Sequence, residues 1–332
     1  MNHRDDSDKI KTISDATRIL KKLEENKDRF LSTGWPFDRF PFGLWFRGQS
    51  VRENRLLEPC AFRTINRTVC GSKDTHKTRH DETNLYVHIK LRAANYQQTY
   101  RSAFDWLCLM QHYSIPTRLL DWSESILIAL YFAVRDTSDI GMHASAKMDD
   151  KVESEIVALN ARALNYHAKG PATHLERKRP SIASPDSSET VIRAEMASTR
   201  SLKNLKLNVA VKESASCAGI KLKGTNWVER FRNPIAVFPS RLNDRMIFQS
   251  SVFTLHGGKY YVKGLKSYYK NDTIPEPISL EEINETEYIL QRYRIPSGCK
   301  GEIRRDLFKL GIHEGTLFPE LDHQAVYLKQ LW

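Results

Sequence analysis

Residues Ile126 to Ala133 read Ile-Leu-Ile-Ala-Leu-Tyr-Phe-Ala, apolar on every side of a helical wheel. A helix of that kind offers no face to water, so other elements must cover it all round. This segment therefore demands a core large enough to surround it. Ser123 is placed to cap the helix, predicted over Glu124 to Val134, with Asp121 just before its positive N-terminal end. Pro116 blocks any helix arriving from upstream, because it supplies no amide proton and restricts Ile115. The N-terminus of the buried helix forms a wall of whatever site lies there.

Elements able to supply that cover are legible on both sides. Ile10, Ile13, Ile19, Leu20 and Leu23 recur at helical spacing, which predicts an amphipathic helix over Ser7 to Leu31, packed on the domain or on a partner protein. A strand is expected from Phe42 to Arg47, and a polar stretch over 66–81. The apolar stripe Leu85, Ile89, Ala93, Tyr96, Tyr100, Phe104, Leu107 predicts one long helix from Glu82 to Gln111. Further strands are expected at Glu155 to Leu159, Ile235 to Val237, Met246 to Leu255, Tyr260 to Val262 and Tyr288 to Ile295. Helices are expected at Gly301 to Leu310 and Glu320 to Leu331. Residues 169–223, rich in Ser, Lys, Arg and Glu, read as a flexible insertion. The fold class is α+β: a mixed sheet built from N- and C-terminal strands, a helical block and a polar insertion. An N-terminal helix (1–35) then precedes a domain over 36–332.

Composition narrows the chemistry. No apolar stretch approaches the roughly 18 residues of a membrane span, so no membrane partner is expected, and a cytoplasmic location follows by default. Five scattered cysteines without a Cys-x-x-Cys pair, and no His-Glu-x-x-His, lead us to expect no metal site and no disulfide framework. The formal net charge of +11 favours an anionic partner, nucleotide or nucleic acid, although many soluble basic proteins bind neither.

The anion would be met by the segment Trp-Phe-Arg-Gly-Gln-Ser, Trp45 to Ser50. Arginine grips phosphate or carboxylate through parallel hydrogen bonds, and a neighbouring glycine, Gly48, lets a ligand approach the backbone. Three further blocks accompany it. They are Gln111-His112 through Pro116-Thr117-Arg118-Leu119-Leu120-Asp121-Trp122 with Ala129 to Ala133; Arg245 through Gln249 to Phe253-Thr254-Leu255-His256; and Gly311-Ile312 with Thr316 to Asp322. With Phe46-Arg47-Gly48-Gln49, these blocks resemble the FRG domain family of bacterial proteins, many of which look like accessory or defence genes. Ser114 and Ser251 stand where the family pattern leads us to expect glycine.

The order of residues also resembles, faintly, the Arg–Ser–Glu order of ADP-ribosyltransferases. That resemblance implies NAD as cofactor or substrate, Arg47 on its phosphates, Ser250 and Ser251 shaping the nicotinamide pocket, and Glu285 or Glu287 stabilising an oxocarbenium-like transition state. Glu285 and Glu287 read equally as solvated residues before a strand. His112 is either an acid–base group or a cap on the negative end of its helix. Arg118 is either a second phosphate clamp or a strut paired with Asp121. Trp122 either stacks on a ring or fills the core. The expected cleft is lined by Arg47, Gln49, His112, Arg118 and Gln249, with Gly48, Thr117, Asp121, Trp122 and Arg245 as further ligand contacts. The resulting function is a defence- or toxin-like effector that binds NAD or a nucleotide. The alternative is a non-catalytic module that binds nucleic acid or phosphate.

Overall fold

The computed structural model describes residues 9–25, 43–50, 57–63, 65–68, 75–78, 80–100, 102–135, 152–169, 182–186, 190, 194, 233–257, 278–287 and 289–331. In chain order the elements are α1 (Ile13–Glu25), β1 (Leu44–Ser50), the ribbon β2 (Ile65–Thr68) and β3 (Thr75–Thr78), α2 (Glu82–Arg92), α3 (Ala103–His112), β4 (Leu119–Ser123) and α4 (Ile126–Val134). Then come β5 (Ser154–Asn160), α5 (Ala161–Lys169), β6 (Ile235–Val237), α6 (Asp244–Phe248), β7 (Ser251–Leu255), α7 (Leu280–Glu287), β8 (Leu290–Ile295), α8 (Lys300–Lys309), α9 (Glu314–Leu317) and α10 (Leu321–Leu331).

Six strands form one sheet in the order β6-β7-β4-β1-β5-β8. The α+β class and the origin of its strands in both ends of the sequence hold. The pairing differs from the mixed sheet expected: among the described residues every registered strand pair is antiparallel, and parallel character is confined to the bridges Lys9–Arg294 and Ala183–Val237. The sheet is also unevenly joined. β1 and β5 register over seven pairs from Leu44–Asn160 to Ser50–Ser154, whereas β1 and β4 register only at Phe46–Ser123. Two three-stranded halves, β6-β7-β4 and β1-β5-β8, meet at that point.

Each strand divides its side chains between the two faces. Leu44, Phe46, Ile156, Ala158, Tyr293 and Ile295 turn to one face, where α4 lies with α1 and α8. Trp45, Leu120, Trp122, Val157, Leu159 and Val252 turn to the other, against Leu57, Leu164, Leu280 and Ile283. As its sequence requires, α4 is enclosed, with Leu130 and Ala133 at zero exposure. Each large apolar side chain withdrawn this way contributes about 1.5–3 kcal/mol. The N-terminal helix joins the same core through Ala16, Ile19 and Leu23, with Ile10 just before it, so its apolar face is taken up by the domain. The helix expected over Ser7 to Leu31 starts only at Ile13, since residues 9–12 are not helical and Lys9 bridges to Arg294. Its residues 7–8 and 26–31 lie outside the described residues, as do the expected strand Tyr260 to Val262 and nearly all of the 169–223 insertion.

Three local expectations change. The long helix over Glu82 to Gln111 is two helices, because Ser102 and Asp105 form a reciprocal capping box that starts α3 afresh. The segment Leu119 to Ser123, whose last residue is the expected cap of the next helix, is the strand β4, buried everywhere but at Asp121. Ser123 therefore belongs to the strand; its hydroxyl donates to the Gln249 carbonyl, and Ser125 caps α4 instead. Third, the strand expected over Met246 to Leu255 begins only at Ser251. Asn243 caps the short helix α6 before it, and Ser250 turns the chain at φ +46°.

Candidate functional site

Arg47 lies one residue past the single pair that joins the two halves of the sheet. Its Nη1 donates to the Asp121 carbonyl at 2.7 Å, and its Nε donates to Gln49 Oε1 at 3.3 Å. The guanidinium thus crosses the gap that β1 and β4 do not close by their own ladder. Asp121, exposed on β4, receives Gln111 Nε2 on its carboxylate at 2.6 Å, and Gln111 Oε1 in turn accepts from Thr117 Oγ1 at 2.5 Å. Arg47, Gln111, Thr117 and Asp121 therefore form one hydrogen-bonded chain across the junction.

Gly48 answers a different need from the ligand approach expected of it. A Cβ built there would stand 1.8 Å from the Ala129 carbonyl oxygen and 2.6 Å from the Ala133 nitrogen. The missing side chain is what lets the α4 backbone rest on β1. Gln49 points to the opposite face, where its Nε2 donates to Glu155 Oε1 at 3.0 Å. Arg292 reaches the same carboxylate at 2.5 Å and Glu281 at 2.8 Å. Gln49 belongs to that buried polar ladder.

A second polar group gathers at the C-terminal end of α3. His112 Nε2 is 3.5 Å from Glu320 Oε1, and Arg245 Nη1 is 3.9 Å from the same atom. Arg245 lies over the Phe318 ring, 4.5 Å from its centroid. Burial lowers the Arg245 pKa against the opposing pull of Glu320, and burial with the Arg245 charge likewise lowers that of His112. Next to this corner, Glu314 accepts from the Tyr131 hydroxyl and pairs with His323 Nδ1 at 2.6 Å. Burial, with Glu314 beside it, pushes the Tyr131 phenol well above its ordinary value.

Other expected site residues have structural employment. Arg118 is a strut, but its partner is Glu82, not Asp121: Nη2 and Nε meet Glu82 Oε2 at 2.6 and 2.8 Å, and the side chains are 5% and 8% exposed. That sealed pair takes Arg118 out of the expected cleft. Trp122 fills the core, its Nε1 donating to Thr254 Oγ1 at 3.0 Å. Gln249 is buried, donating to the Leu317 carbonyl at 3.0 Å. Ser250 sits in the turn before β7 and accepts the Glu124 amide on its carbonyl. Glu287 ends α7 and does not precede a strand directly, so the Arg47, Ser250, Glu287 order is not carried on three strands.

Sequence reasoning missed Glu82, Glu155 and Glu320, the carboxylates that hold or face the cations. Glu320 stands inside the fourth motif block, so its signal was present; Glu82 and Glu155 had none. Among the described residues no group of three or more His, Cys, Asp or Glu side chains is arranged to hold a metal ion. Among them, too, no helix is long and apolar enough to cross a membrane.

The junction and the corner draw on all four sequence blocks: Arg47 from the first, Gln111, His112 and Asp121 from the second, Arg245 and Gln249 from the third, Phe318 and Glu320 from the fourth. No curated protein and no solved structure matches the chain. The family model for the FRG domain matches residues 43–140, which hold β1, β4 and α4, so this stretch of the chain is similar to the FRG domain.

Proposed function

We propose that this protein is a defence- or toxin-like effector that binds NAD or a nucleotide where the two halves of the sheet meet, and transfers ADP-ribose from NAD. The observation that carries the reading is the placement of Arg47. Its guanidinium lies at the one registered contact between β1 and β4, held by Gln49 and the Asp121 carbonyl. A cation pinned between two strand edges is oriented before a phosphate arrives, and pre-orientation is where such a site gains most. Breaking a glycosidic bond beside a cationic leaving group calls for electrostatic stabilisation rather than a strong base. Asp121 offers a carboxylate at the same junction, exposed and steadied by Gln111. In this reading Arg47 holds the dinucleotide phosphates and Asp121 faces the ribose.

The test incubates the purified protein with NAD labelled in its adenylate moiety and a cell extract. Label should pass to a macromolecule, and Arg47→Ala and Asp121→Asn should each abolish transfer while the melting temperature stays within a few degrees. If the wild-type protein transfers no label and calorimetry detects no NAD binding, the reading fails. A second reading, a non-catalytic module for nucleic acid or phosphate, draws on the net charge of +11. It would be marked by nucleic-acid binding that weakens steeply with salt, without any transfer.

A further inference from the structure

We propose that Arg245 and His112 form a binding site for the phosphoryl group of a ligand, and that the Glu320 carboxylate occupies this site as an internal stand-in. Glu320 is within ion-pair range of both cation-forming side chains, yet neither of its oxygens makes a hydrogen bond, although both are sealed from water. His112 Nδ1 is likewise buried without a hydrogen-bond partner. Buried polar atoms are ordinarily satisfied, so three orphans in one corner need a cause. Elsewhere this chain fits arginine to carboxylate closely, as in Arg118 with Glu82 at 2.6 Å and Arg292 with Glu281 at 2.8 Å. At 3.9 Å, Glu320 fills the position opposite Arg245 without bonding to it.

The neighbouring acids do not make up the deficit. Glu314 is engaged by the Tyr131 hydroxyl and His323, and Asp121 by Gln111. Phe318 supports the guanidinium from one side and offers it no acceptor oxygen. Burial lowers the Arg245 pKa and the Arg135 charge adds to that, while Glu320, Asp121 and Glu314 act to raise it. A tetrahedral oxyanion carries more charge than a carboxylate and has more acceptors. It could accept from Arg245 and His112 together, and charge-assisted bonds of that kind are the strong ones. Glu320 immediately precedes α10, its carbonyl accepting the Gln324 amide at 3.0 Å, and the first helical residue, Leu321, is exposed.

The experiment is calorimetric titration of the full chain with inorganic pyrophosphate. Glu320→Gln should bind it about tenfold more tightly than wild type, because a competing charge has gone. The double variant Glu320→Gln/Arg245→Gln should lose that gain. Affinity unchanged in Glu320→Gln, or kept in the double variant, overturns the proposal. If Glu320→Gln does not fold, NMR titration of the His112 ring in the wild-type protein decides. Saturating pyrophosphate should move its pKa upward, and an unmoved titration overturns the proposal. ADP in a parallel titration separates the sources: tighter binding than pyrophosphate assigns a nucleotide, equal binding the phosphoryl group alone. No NAD is used and no transfer is read, so this result is independent of the role given to Arg47.

Discussion

Replacing Gly48 by alanine tests why a glycine follows Arg47. The added methyl would lie 1.8 Å from the Ala129 oxygen, 2.6 Å from the Ala133 nitrogen and 2.9 Å from the Ala129 carbonyl carbon. All three are helix backbone, so no rotamer change can relieve the contact. To restore ordinary van der Waals separation, α4 would have to retreat from β1 by about 1.5 Å. That helix is buried around nearly its whole circumference, and its retreat would open gaps against Phe46, Ile156 and Ala158. Overpacking alone costs about 1–3 kcal/mol, and a rigid backbone obstacle puts this site at or above the top of that range. Thermal unfolding followed by far-ultraviolet circular dichroism should show a loss of roughly 10 °C in Tm, or no folded protein at all. A Tm within 2 °C of wild type would refute the close approach of helix to strand. It would return Gly48 to the role of a ligand contact.

Arg118→Ala should cost about 3–5 kcal/mol, because it leaves the nearly buried Glu82 carboxylate without its counter-ion. Urea denaturation measures this, and a cost under about 1 kcal/mol would show that the pair is not the strut described. Ser114→Gly should raise stability by roughly 0.5 kcal/mol. Ser114 holds φ +56°, where a side chain is strained, and part of the relief is offset by the glycine's freedom in the unfolded chain. A lower urea midpoint in that variant would contradict the reading.

The elements most legible in the sequence were those whose pattern is set locally. The all-apolar α4, the strands β5 and β8 and the helices α8 and α10 follow from runs that permit one burial. The break between α2 and α3 was legible too, since Ser102 and Asp105 have capping-box spacing, but the apolar stripe through Tyr96 and Tyr100 masked it. β4 was hidden by its shortness and by Pro116 just upstream. The family pattern's glycine at 114 marked a backbone demand, as the positive φ of Ser114 shows. What stayed illegible was partnership across distance. Arg118 is paired 36 residues upstream and Gln49 106 residues downstream, and neither separation has a sequence signature. Arginines that looked equivalent as phosphate clamps are therefore different things: a bridge at 47, a sealed strut at 118 and, at 245, a guanidinium over the Phe318 ring with Glu320 at 3.9 Å.

The order in which the strands are laid down has a consequence for synthesis. Both triplets of the sheet are completed from the far end of the chain: β7 ends at Leu255 and β8 at Ile295, and each is hydrogen-bonded to a strand made more than a hundred residues earlier. Contacts so remote in sequence form late, after a large loop-closure entropy has been met. A chain still on the ribosome at residue 140 has made one strand of each triplet, β1 and β4, which register with each other only at Phe46–Ser123. The stretch from 43 to 140 therefore lacks the strands that complete both triplets, and its most hydrophobic helix gains the cover of β5 and α8 only as the later chain emerges.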